Sequence, residues 1–256
     1  MWAAEARAEE GPGTGPSHDH AGPPADAAEA GLAPAVEARL LERAQAAGGL
    51  VVGVWEPPCS LVVPASYQRY ERFEALGARF AAAGWPVAVR RSGGGLVPQG
   101  PGVLNLSLAW PTAAELGTVM ESVYLRLGAV LQQAVAPWGR RAGLQPVEGS
   151  FCDGRFNLAI AGRKIAGTAQ GWRRLADGRS LVLAHACLLV AADLPGLVDQ
   201  ANRFEAHLGS DRQYRLDTLD NLLPPAVQAD AAARAAALRA VGQALRQAAE
   251  AAGPLA

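Results

Sequence analysis

Three short segments gather the residue types that could do chemistry: RRSGGG at 90–95, SFCDG at 150–154 and GRKIAGTAQ at 162–170. The third holds Lys164, the only lysine among 23 Lys and Arg residues. An ammonium is a compact charge with rotatable donors whose pKa shifts on burial, and a planar guanidinium is not a substitute for it. Such a group can donate to a substrate carbonyl while stabilising a nearby thiolate. The second segment offers the thiol: Cys152 lies in a polar turn just ahead of a strand. A thiol with an ordinary pKa near ~8.5 is mostly un-ionised at neutral pH and needs a cation beside it to act as a nucleophile. Lys164 is placed to supply one, whereas the carboxylate of neighbouring Asp153 works in the opposite sense. Of the other cysteines, Cys59 sits beside two prolines with no local cation, and Cys187 lies within an apolar strand as a small hydrophobe.

In the first segment, Gly93, Gly94 and Gly95 allow backbone conformations closed to other residues and let a ligand rest on the main chain. Their N–H groups, next to Arg90, Arg91 and Ser92, could hold a carbonyl oxygen, a carboxylate or a phosphate. The spacing is neither a Walker loop nor a dinucleotide fingerprint. From the residue types alone the thiol is either a nucleophile or inert, and the glycines are either a ligand cradle or a plain turn.

These residues have to be positioned by strands. LVVGVW (50–55), LVV (61–63), PVAVR (86–90), GVLNLSLAW (102–110) and SLVLAHACLLVA (180–191) read as strands. RFNLAIAGRKIAGTAQ (155–170) reads as a hairpin turning at Ala161-Gly162, with Lys164 on its returning arm. Helices are expected over 34–49, where Val36, Leu40, Leu41 and Ala44 recur at helical spacing, over 67–83, and over 111–135 with Pro111 in the first turn. Shorter helices close the domain by about residue 225. The alanine-rich stretch 226–253 carries Leu238, Val241 and Leu245 on one side and reads as a helix packed on the domain surface. The expected class is α+β, a single domain built on a mixed, largely antiparallel sheet flanked by helices. The domain is assigned to 33–225, between a flexible Ala/Gly/Pro-rich tail over 1–32 and a C-terminal helix over 226–256.

Half of the 256 residues are hydrophobic and 18% are charged, enough apolar material for a core. A net charge of −1 provides no basic field for nucleic acid or an anionic membrane. Three scattered cysteines make neither a disulfide framework nor a zinc site, and the SHDH stretch at 17–20 has no converging ligands in the sequence, so no metal is expected. The acidic N-terminus is no secretory signal, and the longest apolar run, from Leu181, is about half a spanning helix; a cytoplasmic location is expected.

Taken together, the segments resemble the biotin/lipoate protein ligase superfamily over residues 33–225. RRSGGGLVPQGPGVLNLSL is similar to its Arg-Arg-x-x-Gly-Gly-Gly loop and the following Gly-x-x-Asn-x-Ser strand, and GRKIAGTAQ to its lysine motif. The resemblance implies that Arg90, Arg91, Ser92, the three glycines, Asn105, Gly167, Ala169 and His185 bind substrate. It further implies that the loop packs against a lipoyl or octanoyl group and that Lys164 contacts the acyl carbonyl. SFCDGRFNL is similar to the Ser-Phe-Cys-Pro-Gly-x-Tyr-(Asp/Asn)-Leu motif of the amidotransferase branch, which makes Cys152 the matching nucleophile, with Asp153 where that branch has proline. That branch uses no cofactor and moves octanoyl groups from the glycine-cleavage H protein to E2 subunits of 2-oxoacid dehydrogenases. HACLL from His185 is similar to the His-Gly-Thr-Leu-Leu strand of the ligase branch, with Ala186 and Cys187 substituted, and that branch uses Mg-ATP. The resemblance therefore implies a lipoyl or octanoyl transferase, with an ATP-dependent ligase as the alternative. A silent acyl-binding partner is a third reading.

Overall fold

The computed structural model describes residues 31–255. Nine strands form two sheets among these residues: a six-stranded sheet in the order β1-β5-β9-β8-β7-β6 and a three-stranded sheet in the order β3-β2-β4. The large sheet contains β1 (Val51–Trp55), β5 (Val103–Thr112), β6 (Gly143–Gln145), β7 (Asn157–Ile160), β8 (Arg163–Arg174) and β9 (Ser180–Leu189). All its pairings are antiparallel. The small sheet holds β2 (Ser60–Pro64), β3 (Val87–Arg90) and β4 (Val97–Gln99), with β2 parallel to β3 and antiparallel to β4. The expected mixed and largely antiparallel pairing is present, divided between two sheets rather than held in one.

One face of the large sheet is covered by α3 (Leu116–Val135) and α6 (Ala231–Ala252), which enclose the main core around Trp110, Leu127 and Leu188. Leu238, Val241 and Leu245 of α6 are buried in that core. The helix begins where Asp230 accepts hydrogen bonds from the N–H groups of Ala232 and Ala233. A second core joins the small sheet to α2 (Phe73–Ala82) and α4 (Leu194–Leu208), with the Phe73 and Phe80 rings edge-on to Phe204. Helix α1 (Ala33–Ala47) packs across β5 and β9 and turns its Leu40 side chain onto Gly53 of β1.

Two expected helices change shape for local reasons. The 67–83 stretch divides into a 3-10 turn (Ala65–Arg69) and α2. Tyr67 is tied to Glu205 while Phe73 packs on Phe204, and residues six apart do not share a face of one α-helix. Pro111 is a strand residue, because β5 pairs with β9 as far as Thr112 and the helix starts only at Leu116. Pro111 lies beyond the last β1 partner, Ala109, so its missing N–H costs no ladder bond on that side. The C-terminal stretch is likewise interrupted, with a short α5 (Pro225–Ala229) before α6. The three-residue strands β4 and β6 were too short to read from pattern.

The expected hairpin is present: Ala161 and Gly162, at φ +50° and +77°, turn β7 into β8. Just past the turn the register slips, so that Ala159 pairs with Lys164 and Leu158 with Ala166, leaving Ile165 as an extra residue. Behind this bulge runs the segment 219–223. Leu219 bridges in parallel to Lys164, the Asp220 N–H donates to the Lys164 carbonyl (2.9 Å), and Leu222 and Leu223 bond to Leu189 and Val190. Asp220 also accepts from Arg140 and Arg163, at 2.6 and 2.7 Å.

Candidate active site

The two sheets and α1 surround a pocket. Its walls bring together Arg90 from β3, Gln99 from β4, Asn105 from β5, Lys164, Gly167 and Ala169 from β8, and His185 and Cys187 from β9. Cys152 enters from the turn before β7. Most of the lining is apolar, with a few convergent polar groups, the usual make-up of a small-molecule site.

Alternation along a strand puts residues 164 and 167 on opposite faces, yet both line this pocket. The bulge at Ile165 resets the parity: Ile165 drops into the main core while Lys164 turns into the pocket. Lys164 is only 4% exposed, and its Nζ donates to the Phe151 carbonyl and, at 3.3 Å, to that of Cys152. Burial pulls its pKa down to about 8, opposed by Cys152, Cys187 and Asp153 and aided by Arg90. The ammonium thus remains the main form at neutral pH. It reaches the cysteine through the backbone of the turn and not by a bond to sulfur.

The cation in contact with sulfur is Arg90, whose Nη2 lies 3.8 Å from Cys152 Sγ. Its other bonds go to the carbonyls of Val62, Gly93 and Gly95, at 2.9, 3.0 and 2.6 Å. Arg90 is therefore a clasp for the glycine loop rather than an open phosphate ligand. The loop itself lies over the thiol: a β-carbon on Gly94 would overlap Cys152 Sγ, and Gly94 adopts φ +107°, a region that favours glycine. Gly94 and Gly95 thus pack on the cysteine, and none of the three glycines lines the cavity. Arg91 is exposed and, with Ser92, faces a neighbouring hollow that also takes in Arg173, Glu37 and Glu42.

Cys152 has φ +48°, a left-handed conformation that costs a non-glycine residue roughly 1–2 kcal/mol. Strain of this kind is often retained at functional positions. Asp153 accepts from the Val147 N–H at 3.0 Å, which ties the turn to residue 147. The pocket's second thiol differs: burial pushes Cys187 up to about 12, and Gln99 Nε2 donates to its sulfur at 3.6 Å. Gln99 in turn accepts from Asn105 Nδ2 at 2.8 Å, so Asn105 orders the wall behind Cys187.

His185 does more than line the wall. Its Nδ1 lies 2.5 Å from Glu37 Oε1 and its Nε2 lies 3.2 Å from Ser92 Oγ. Ser107 Oγ also donates to Glu37 Oε1, at 3.1 Å. Sequence reading missed Glu37 and Gln99. A signal for Glu37 was available, since it shares the inward stripe of α1 with Leu40 and Ala44, an acid where the period calls for an apolar residue.

The SHDH stretch at 17–20 lies outside the described residues. Among the described residues no group of three or more His, Cys, Asp and Glu is arranged to hold a metal ion. No helix among them is long and apolar enough to cross a membrane.

Two sheets meet over a buried lysine, and a glycine loop lies across a cysteine, in an α+β fold. The chain belongs to the lipoyl protein ligase A/B catalytic domain family, whose model matches residues 31–237. It is 49% identical over 201 residues to an uncharacterised protein of Cupriavidus necator, covering 74% of this chain and 79% of that one. It is 42% identical over 148 residues to the octanoyl-GcvH:protein N-octanoyltransferase of Kyrpidia tusciae, covering 55% of this chain and 51% of that protein. The chain thus spans about half the length of that named transferase. Among solved structures, lipoate-protein ligase A with ATP bound matches with a TM-score of 0.55 at 16% identity, over 82% of this chain and 81% of that one. The Thermoplasma acidophilum protein Ta0514 also matches with a TM-score of 0.55, at 17% identity over 82% and 80%. Both establish the fold.

Proposed function

We propose that this chain transfers an octanoyl or lipoyl group to a lysine of a lipoyl domain through a thioester on Cys152. The observation that carries the reading is the placement of Cys152: strained, half-buried, beside Arg90 and under Gly94, with Lys164 bound to the turn that holds it. The thiolate attacks the acyl carbonyl, and the cationic surroundings stabilise both the thiolate and the developing oxyanion. The lysine of the acceptor then opens the thioester to an amide. Donor and acceptor are protein-bound, a glycine-cleavage H protein and an E2 subunit, and exposed arginines such as Arg91 dock an acidic lipoyl domain. Residues 33–225 carry the chemistry, and 226–256 brace it. The reaction takes place in the cytoplasm and requires no cofactor, nucleic acid or membrane.

A second reading is favoured by the hollow next to the pocket, where Arg91 and Arg173 could receive a phosphate. There the chain would be a ligase that activates the free acid with Mg-ATP. The test supplies apo lipoyl domain with either octanoyl-loaded H protein without nucleotide, or free lipoate with Mg-ATP, and follows acceptor mass. Transfer from the loaded protein that is lost in Cys152→Ala is the expected result. Transfer that survives this substitution overturns the thioester. Transfer only with Mg-ATP selects the ligase, and none under either condition leaves a silent acyl-binding protein.

A further inference from the structure

Three consecutive glycines do not hold a conformation by themselves, since each loses more freedom on ordering than any other residue. The loop over Cys152 therefore needs clamps from outside. Arg90 is one, through the carbonyls of Gly93 and Gly95. A second stands at Gly95, whose φ is outside the left-handed region, so that its missing side chain answers to space and not to backbone. A β-carbon there would come within 2.9 Å of Arg212 Nη1, but only to ordinary contact, 3.5 and 3.6 Å, with the Cys152 backbone.

Arg212 is an exposed side chain with a fixed seat. Its guanidinium lies over the Tyr67 ring, 5.8 Å from the centroid, and its Nη1 donates to the Tyr67 hydroxyl at 3.4 Å. Tyr67 in turn donates to Glu205 Oε1 at 2.5 Å, and the Tyr214 hydroxyl donates to the same oxygen at 2.7 Å. Burial and the Glu205 carboxylate push Tyr67 up to about 12, so this phenol stays a donor at neutral pH. Glu205 is 0% exposed, and its Oε2 has no hydrogen-bond partner among the described residues. A buried carboxylate left half-satisfied is destabilising, and its retention calls for a role. The Tyr214 ring packs on Phe151, with centroids 5.2 Å apart, and the Phe151 carbonyl accepts from Lys164 Nζ.

We infer that Arg212 is a positioning residue that, with Arg90, holds the glycine loop over Cys152, and that Glu205 fixes it there through Tyr67. One carboxylate oxygen then serves both halves of the site: the loop above the sulfur through Tyr67 and Arg212, and the turn that carries the sulfur through Tyr214 and Phe151. The spacing between loop and thiol is set by a buried atom on α4 and not by the glycines themselves.

The catalytic consequence rests on the thioester reading, whereas the clamp itself can be tested apart from it. The rate at which a bulky maleimide alkylates Cys152, divided by the rate with iodoacetamide, reports the cover over the sulfur and cancels its ionisation. Arg212→Ala removes an exposed side chain and should melt where the wild type does; Tyr67→Phe and Gly95→Ala, whose methyl pushes the guanidinium aside, disturb the same clamp from either end. In all three the ratio at Cys152 is expected to rise about 10-fold, as removal of a hydrogen-bonded clamp of ordinary strength lets the loop open that much more often, with Cys187 still unreactive. The saturating nitrophenolate burst from p-nitrophenyl octanoate should fall by about 10- to 100-fold, with the half-saturating ester concentration unchanged. A ratio in Arg212→Ala equal to that of the wild type overturns the clamp, as does an equal rise at Cys187, which marks general loosening. A raised ratio with an unchanged burst overturns the positioning role. If the wild type shows no burst, the thioester reading fails by itself, and the alkylation ratio still decides the clamp.

Discussion

A β-carbon on Gly167 would stand 3.0 Å from Lys164 Nζ, closer than side chains ordinarily approach. The near atom is the end of a flexible side chain, so the fold can accommodate a methyl group by moving the ammonium. Gly167→Ala is therefore expected to fold with little loss of stability but to lower acyl transfer by about 10- to 100-fold, because small displacements of positioning groups have effects of that size. A melting curve beside a transfer assay checks this, and full activity would show that the ammonium position is not critical.

The depressed pKa of Lys164 separates activity from stability in pH. Burial disfavours the charged form in the fold, so between about 8 and the ordinary value of 10.5 the unfolded chain binds more protons. Lys164 therefore makes stability rise with pH in that window, while a reaction that uses the ammonium declines above about 8. Lys164→Met should abolish transfer and raise the melting midpoint at pH 7, by about 2–4 °C for each kcal/mol gained in a chain of this size. The difference in midpoint between wild type and variant should narrow as pH rises toward 10. A gap that widens would contradict the sign.

Strain at Cys152 should be measurable apart from its chemistry. Cys152→Gly and Cys152→Ala both remove the thiol, but only glycine is at ease at φ +48°. The glycine variant is expected to be more stable than the alanine variant by about 1 kcal/mol in denaturant titrations, with transfer lost in both.

The two pocket thiols should differ in reactivity. Brief treatment with iodoacetamide at pH 7.5, followed by peptide mapping, is expected to modify Cys152 ahead of Cys187, which burial holds as a protonated thiol. Preferential modification of Cys187 would reverse the assignment of the nucleophile.

At the hairpin turn, Ala161 occupies a left-handed position that asparagine adopts more readily. Ala161→Asn should stabilise the protein by about 0.5 kcal/mol without altering transfer, since residue 161 is exposed and outside the pocket.

How much of this was legible in the sequence depended on whether the signal was local. Lys164 and Cys152 stood out because each lies in a short run of distinctive composition, and the hairpin joining them was marked by Ala161-Gly162. The partnership of Arg90 with the sulfur was not legible, since it depends on where a loop 62 residues away comes to lie. Glu37 was marked only as an acid on the inward stripe of α1, and its histidine partner on β9 was not legible because it depends on how the helix packs across the sheet. The bulge at Ile165 leaves no trace in hydropathy, because Lys164 and Ala166 look the same in either register. Pro111 misled because proline suits both the first turn of a helix and the unpaired side of a strand.

The strip at 219–223 that backs Lys164 also bears on when the protein becomes competent. Synthesis proceeds from the N-terminus, so the lysine leaves the ribosome well before Leu219, its neighbour across the parallel bridge, and before Asp220, which caps its carbonyl. Until then, Arg140 and Arg163 also wait for the carboxylate that joins them. A nascent chain that already displays all three sequence motifs still lacks the prop that seats its ammonium. Competence is thus a late event in the life of the polypeptide, set by a segment that contributes no chemistry of its own.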